Sequence, residues 1–268
     1  MARRVKLVIR LLPCLLALGC WLSVAPAARA QQNLFNVPSG LSTLPQHVFV
    51  QQQLNLSRPL GTSCTTVELG VTREFELGIN VVNVPLYGHP GDDLAAPVHP
   101  GYLVNAQRGV SFGSHDQARL SLGTQLGGTQ VGHPEWAPLE FTWAMGSLVL
   151  PQRGTRLFAG GYHANRALAG DGFPLGGLLG LELPLVPERL LFQVDYISGD
   201  RDISVAVAGL VIELPAGMQL SLGVQLPAPR SHNAFGFVVE LTQRGFPLGR
   251  MASSGVEHVS QSPARDHL

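Results

Sequence analysis

Eight ionisable residues fall on the polar side of segments in which apolar and polar residues alternate: Glu68, Glu76, Arg119, Glu140, Glu182, Arg189, Asp195 and Glu240. Alternation with period two sends successive side chains to opposite faces of a strand, so all eight are expected on the non-lipid, inward face of a sheet. There they could act together as a charged lumen that attracts and filters cationic or polar solutes. Equally, acids and arginines could pair across a narrow interior and satisfy one another. Either reading keeps them off the outer face, where an arginine at mid-depth in lipid costs ~2–4 kcal/mol.

Other polar clusters carry less chemistry. Ser114-His115-Asp116 holds the residue types of a nucleophile, a base and an orienting acid, but neighbours on one turn cannot converge as a relay must. His163, beside Tyr162 near a strand end, could meet Ser204 or Asp171, and no spacing ties them together. His89, His99 and His133, with Asp92 and Asp93, are scattered through Pro- and Gly-rich loops and lack the close ligand spacing of a metal site. No cofactor, metal or catalytic activity is therefore expected. Cys64 reads as a small wall residue.

The elements that must position these groups are strands. Val67-Glu68-Leu69-Gly70-Val71, Phe75-Glu76-Leu77-Gly78-Ile79-Asn80-Val81, Leu120-Ser121-Leu122-Gly123, Met218-Gln219-Leu220-Ser221-Leu222 and Phe235-Gly236-Phe237-Val238-Val239-Glu240-Leu241 all alternate, and helical periodicity is almost absent. Collecting such segments predicts twelve strands, at 47–56, 64–72, 75–83, 102–112, 117–127, 138–148, 155–164, 175–184, 189–198, 202–214, 217–227 and 233–243. Their lengths match the ~9–11 residues that a tilted strand needs to cross a bilayer. Tight turns near Arg73, His115, Gln152, Pro187 and Pro215 alternate with longer connections at 84–101, 128–137, 165–174 and 228–232. Only the 199–201 connection is shorter than this rhythm requires. Trp136, Trp143, Tyr102, Tyr162 and Tyr196 are expected near strand ends or on the lipid face, as interfacial girdles.

A soluble sandwich or barrel would alternate as well. Strand length, the Gly, Ser, Thr and Gln residues opposite the aliphatic face, and the absence of lysine after Lys6 favour a membrane barrel instead. Charged residues form 13% of the chain, against about 25% in ordinary soluble domains.

The first thirty residues read as a secretory signal. Arg3, Arg4, Lys6 and Arg10 precede an apolar run from Leu11 to Val24, and Ala28-Arg29-Ala30 is a small-x-small cleavage site. A retained anchor would need a longer apolar run, and a lipoprotein reading on Cys20 competes with the better site at Ala30. Processing removes five basic residues and no acid, leaving 13 basic against 18 acidic residues, a net of −5. An acidic mature chain argues against nucleic acid as a partner.

Two stretches resemble a broad group of bacterial outer-membrane barrels, porin-like or transporter-like: Leu34-Phe35-Asn36-Val37-Pro38-Ser39-Gly40, and Leu69 to Asn80 across the first hairpin. Gly180-Leu181-Glu182 followed by Gln193-Val194-Asp195-Tyr196-Ile197-Ser198-Gly199-Asp200 is similar to the later hairpins of that group. The resemblance implies an all-β, antiparallel up-and-down transmembrane β-barrel in the cell outer membrane, with outer-membrane lipid and the barrel-insertion machinery as partners. Small polar solutes are the expected cargo; a non-conducting surface barrel and a lipid-modifying enzyme are the alternatives. The expected organisation is a signal at 1–30, a periplasmic segment at 31–46, a barrel at 47–243 and a flexible tail at 244–268. On this scheme arginine should be tolerated at Ser121 and Ser221 and not at Leu122 or Leu222.

Overall fold

A computed structural model describes residues 33–58, 60–88, 99–113, 117–130, 135–150 and 154–248. The expected signal and its cleavage site, Asp92 and Asp93, Ser114-His115-Asp116, His89, His133 and the tail beyond Leu248 lie outside the described residues. No helix among the described residues is long and apolar enough to cross a membrane.

Twelve antiparallel strands form one closed barrel in simple up-and-down order, each bonded to its sequence neighbours and the last to the first. They are β1 (His47–Ser57), β2 (Gly61–Gly70), β3 (Phe75–Tyr87), β4 (Gly101–Phe112), β5 (Ala118–Gln130), β6 (Trp136–Leu150), β7 (Thr155–Ala164), β8 (Leu175–Val186), β9 (Leu190–Ile197), β10 (Val205–Glu213), β11 (Met218–Pro227) and β12 (Gly236–Pro247). Closure pairs Gln53 of β1 with Glu240 of β12, so the sheet has no free edge to satisfy. The expected count and order of strands are those observed; β12 runs four residues past its expected end, into the expected tail.

One end of the barrel is tightly turned. Between β2 and β3 the Thr72 hydroxyl accepts the N–H groups of Glu74 and Phe75. Between β10 and β11 a 3-10 turn at Pro215–Gly217 reverses the chain, with Ala216 and Gly217 both at positive φ. The opposite end carries larger connections. A single helical turn, α1 (Arg166–Ala169), follows β7 and is capped by the Asn165 side chain, which accepts the Leu168 N–H. The connection after β9 spans Ser198–Ser204, longer than expected, because β9 ends one residue early and β10 starts three residues late. Arg201 holds it down: its guanidinium donates to the carbonyls of Ala164, Asn165 and Gly172.

The outward face is aliphatic, with Leu120, Leu122, Leu126, Ile79, Val104, Leu179 and Phe237 all more than half exposed. Trp136 and Tyr102 also stand outward, at 61% and 55% exposure. Trp143 and Tyr162, expected with them, point inward instead and are buried. They stack around Phe141, whose ring lies 5.6 Å from that of Trp143 and 5.4 Å from that of Tyr162. The interior therefore holds an apolar core on one side, and residues before β1 supply part of it.

Candidate functional site: the barrel interior

Residues 33–44, expected outside the barrel, run inside it. Their partners lie on five strands, β1, β3, β4, β5 and β9, which only a position within the closed ring can reach together. Leu34 donates its N–H to the Val37 carbonyl at 2.9 Å, closing a turn whose ends, Asn33 and Pro38, form an isolated bridge. The side chains of that turn fill the core. Leu34, Phe35 and Val37 are at most 1% exposed and join Trp143, Met145, Phe158, Leu178, Val207 and Val238. Glycine makes the room: a Cβ on Gly209 would stand 2.7 Å from the Phe35 ring, and one on Gly223 2.9 Å. Burial of each of the three apolar side chains contributes ~1.5–3 kcal/mol, an upper figure because unfolded chains already hide some surface. Three apolar residues in four are what a solvated segment would not carry, and that was the available sequence signal for an interior position.

A backbone taken out of water must have its N–H and C=O groups answered, and wall side chains answer these. Asp195 Oδ2 accepts the N–H groups of Asn36 at 2.5 Å and Val37 at 3.0 Å. Glu76 accepts the Thr43 N–H at 2.7 Å through one oxygen and Gln107 Nε2 at 2.9 Å through the other. Gln107 also donates to the Leu41 carbonyl, and Arg119 donates to the Gly40 carbonyl and the Ser42 hydroxyl, each at 2.7 Å. Gln53 donates to the Asn36 side chain. The segment is thus held mainly by its main chain, through charge-assisted bonds of the stronger kind.

The eight residues expected on the inward face divide accordingly. Asp195, Glu76 and Arg119 hold the interior segment. Glu68 is buried and accepts Asn105 Nδ2 at 2.8 Å. Glu182 is buried with Arg156 Nη1 at 3.7 Å, on the paired position of β7. Glu240 is wholly buried opposite Ser221 of β11. Arg189 is a correction: it sits in the turn before β9 and is exposed at the barrel end rather than lining the interior. Glu140 is the second correction. Leu139, Phe141, Trp143 and Met145 take the inner face of β6, which sends Glu140 and Thr142 outward. There Glu140 accepts His163 Nδ1 and the Thr142 hydroxyl, both at 2.7 Å. An apolar inner core reverses the usual sense of the alternation on this strand.

Sequence reasoning also missed Gln107, Arg156 and the ion pair between Arg244 and Glu213, since each depends on register between strands. His163 is not brought to Ser204 or Asp171. Ser204 donates to the Ser198 carbonyl, and Asp171 pairs with Arg166. No group of three His, Cys, Asp or Glu residues among those described could hold a metal ion.

The inner wall contributed by β1, β2 and β5 is less filled. Gln53, Asn55, Cys64, Thr66 and Gln125 face inward and are only partly buried. The β6–β10 side is packed from both ends, by the interior segment and by Ala169, Leu168 and Ile203 of the large connections.

No family model matches the chain, and no curated protein matches it in sequence. Solved structures do. The KdgM porin in complex with disordered oligogalacturonate aligns with 9% identity and a TM-score of 0.51, covering 73% of this chain and 98% of that one. An outer membrane channel from Pseudomonas putida F1 aligns with 11% identity and a TM-score of 0.50, covering 84% of this chain and 100% of that one. At such identities the likeness is one of fold: the closed antiparallel β-barrel of this chain is similar to the barrels of that porin and that outer membrane channel.

Proposed function

We propose that this chain, exported and processed after Ala30, is an outer-membrane channel for small polar solutes, with its path along the partly exposed inner positions of β1, β2 and β5. The observation that carries this reading is the division of the interior: one side is packed with apolar side chains, and the other presents partly exposed Gln, Asn and Thr residues. The continuous aliphatic outward face suits hydrocarbon, where closed barrels are one of the two architectures that leave no backbone group unanswered. A structure of the same fold was solved with an oligogalacturonate, in keeping with passage of a hydroxylated solute.

Conductance of the refolded mature chain in a planar bilayer tests the reading. Stable single-channel steps support it. Silence from a barrel shown to be folded by its heat-modifiable gel migration sinks it. A second reading, a non-conducting barrel that only presents its loops, draws on the interior segment and the folded connections, which pack side chains into the interior. Silence is its expected result.

A further inference from the structure

We infer that the solute admitted past the partly exposed inner positions of β1, β2 and β5 is small, uncharged and rich in hydroxyl groups, of the sugar or polyol class, and is not a cation; this rests on the channel reading above. The inward carboxylates number enough to suggest a cation filter, but the fold engages them elsewhere. Glu76 answers Thr43 and Gln107, Asp195 answers Asn36 and Val37, Glu68 takes Asn105, and Glu182 faces Arg156. With Glu240, each is less than a tenth exposed. A carboxylate sealed in this way gives a passing ion no ligand.

The partly exposed inward positions carry different chemistry. Gln53, Asn55, Thr66 and Gln125 are uncharged at any pH, and Gln53 and Asn55 are joined by a bond of 2.9 Å. Each primary amide combines two N–H donors with a carbonyl acceptor, and each hydroxyl combines donor and acceptor. That matches a solute whose groups donate and accept at once. These four positions offer no fixed charge to replace the hydration shell of an ion, and the Arg119 guanidinium, inward on β5, is bonded to Gly40, Ser42 and Ser111. A wall of amides can exchange its hydrogen bonds for those of a hydroxylated solute with little net change, as passage requires.

Proteoliposome swelling and reversal potentials of the refolded mature chain test the inference together. Expected are swelling in isosmotic solutions of a neutral monosaccharide or pentitol, and a potassium-to-chloride permeability ratio within about twofold of unity. Asn55→Asp and Gln125→Glu, which place a charge on the path, should each raise that ratio. The inference is overturned by a conducting channel that excludes neutral sugars, or by a wild-type cation preference of about tenfold that Glu68→Gln removes. It is overturned too if neither Asn55→Asp nor Gln125→Glu alters selectivity. A folded barrel that passes neither ions nor sugars overturns the channel reading itself, and the solute class with it.

Discussion

Asp195, two residues before the end of β9, accepts the N–H of Val37 at 3.0 Å, although the two residues are 158 positions apart in the chain. The bond ties the wall to a segment that precedes the first strand. The same carboxylate oxygen takes the Asn36 N–H, so one atom holds the turn that delivers Leu34 and Phe35 to the core.

Asp195→Asn should loosen that turn while leaving the barrel closed. Asn keeps one carbonyl acceptor for the two buried N–H groups but not the second carboxylate oxygen or its charge, which weakens both bonds. Hydrogen exchange is the check: amides of residues 34–41 should lose protection by roughly ten- to a hundredfold, with those of β9 and β10 unchanged. Unaltered protection over the segment would show that apolar burial alone retains it.

Removing residues 31–42 from the mature chain should raise single-channel conductance, because residues 33–42 occupy lumen that would otherwise hold water. Phe35→Ala should act in the same direction with a smaller effect, since deleting a buried phenyl group costs ~3–5 kcal/mol of docking. Equal conductance in the shortened and full mature chains would mean that the ion path does not pass the segment.

Leu122 is outward and 67% exposed, and its neighbour in the pattern, Ser121, is inward and 4% exposed. Leu122→Arg should lower bilayer stability by ~2–4 kcal/mol. Ser121→Arg should also destabilise, contrary to the expectation from alternation, because the Ser121 hydroxyl already stands 2.3 Å from where a Cβ on Gly40 would be. The tolerated inward position is Gln125, which is only partly buried. Urea titration in lipid vesicles should rank Gln125→Arg nearest the wild type, and a ranking in which Leu122→Arg stands nearest would reverse the assignment of faces.

The end of the barrel with tight turns should lie in the periplasm. An epitope inserted beside Asp92 is expected to be labelled on intact cells, and one fused after Leu268 only after the outer membrane is permeabilised. Twelve strands return the chain to the side it entered, so labelling of both tags on intact cells would contradict the topology.

Much of the wall was legible in the sequence alone. Period two, tight turns at Arg73, Pro187 and Pro215, and longer connections between them locate all twelve strands, because each strand must put one face to an apolar medium and the pattern is local. Alternation separates two faces without saying which is inner. On β3 and β11 the aliphatic face is the outer one; on β6 both faces carry apolar residues, and alternation alone placed Glu140 on the inner one. Only the tertiary structure decides the sign there, because the interior segment makes the barrel's centre partly apolar and draws Phe141, Trp143 and Met145 to it. The pairing of Asp195 with Val37 was likewise beyond local reading: it exists because closure of the ring brings β9 to a turn 158 positions away in the chain.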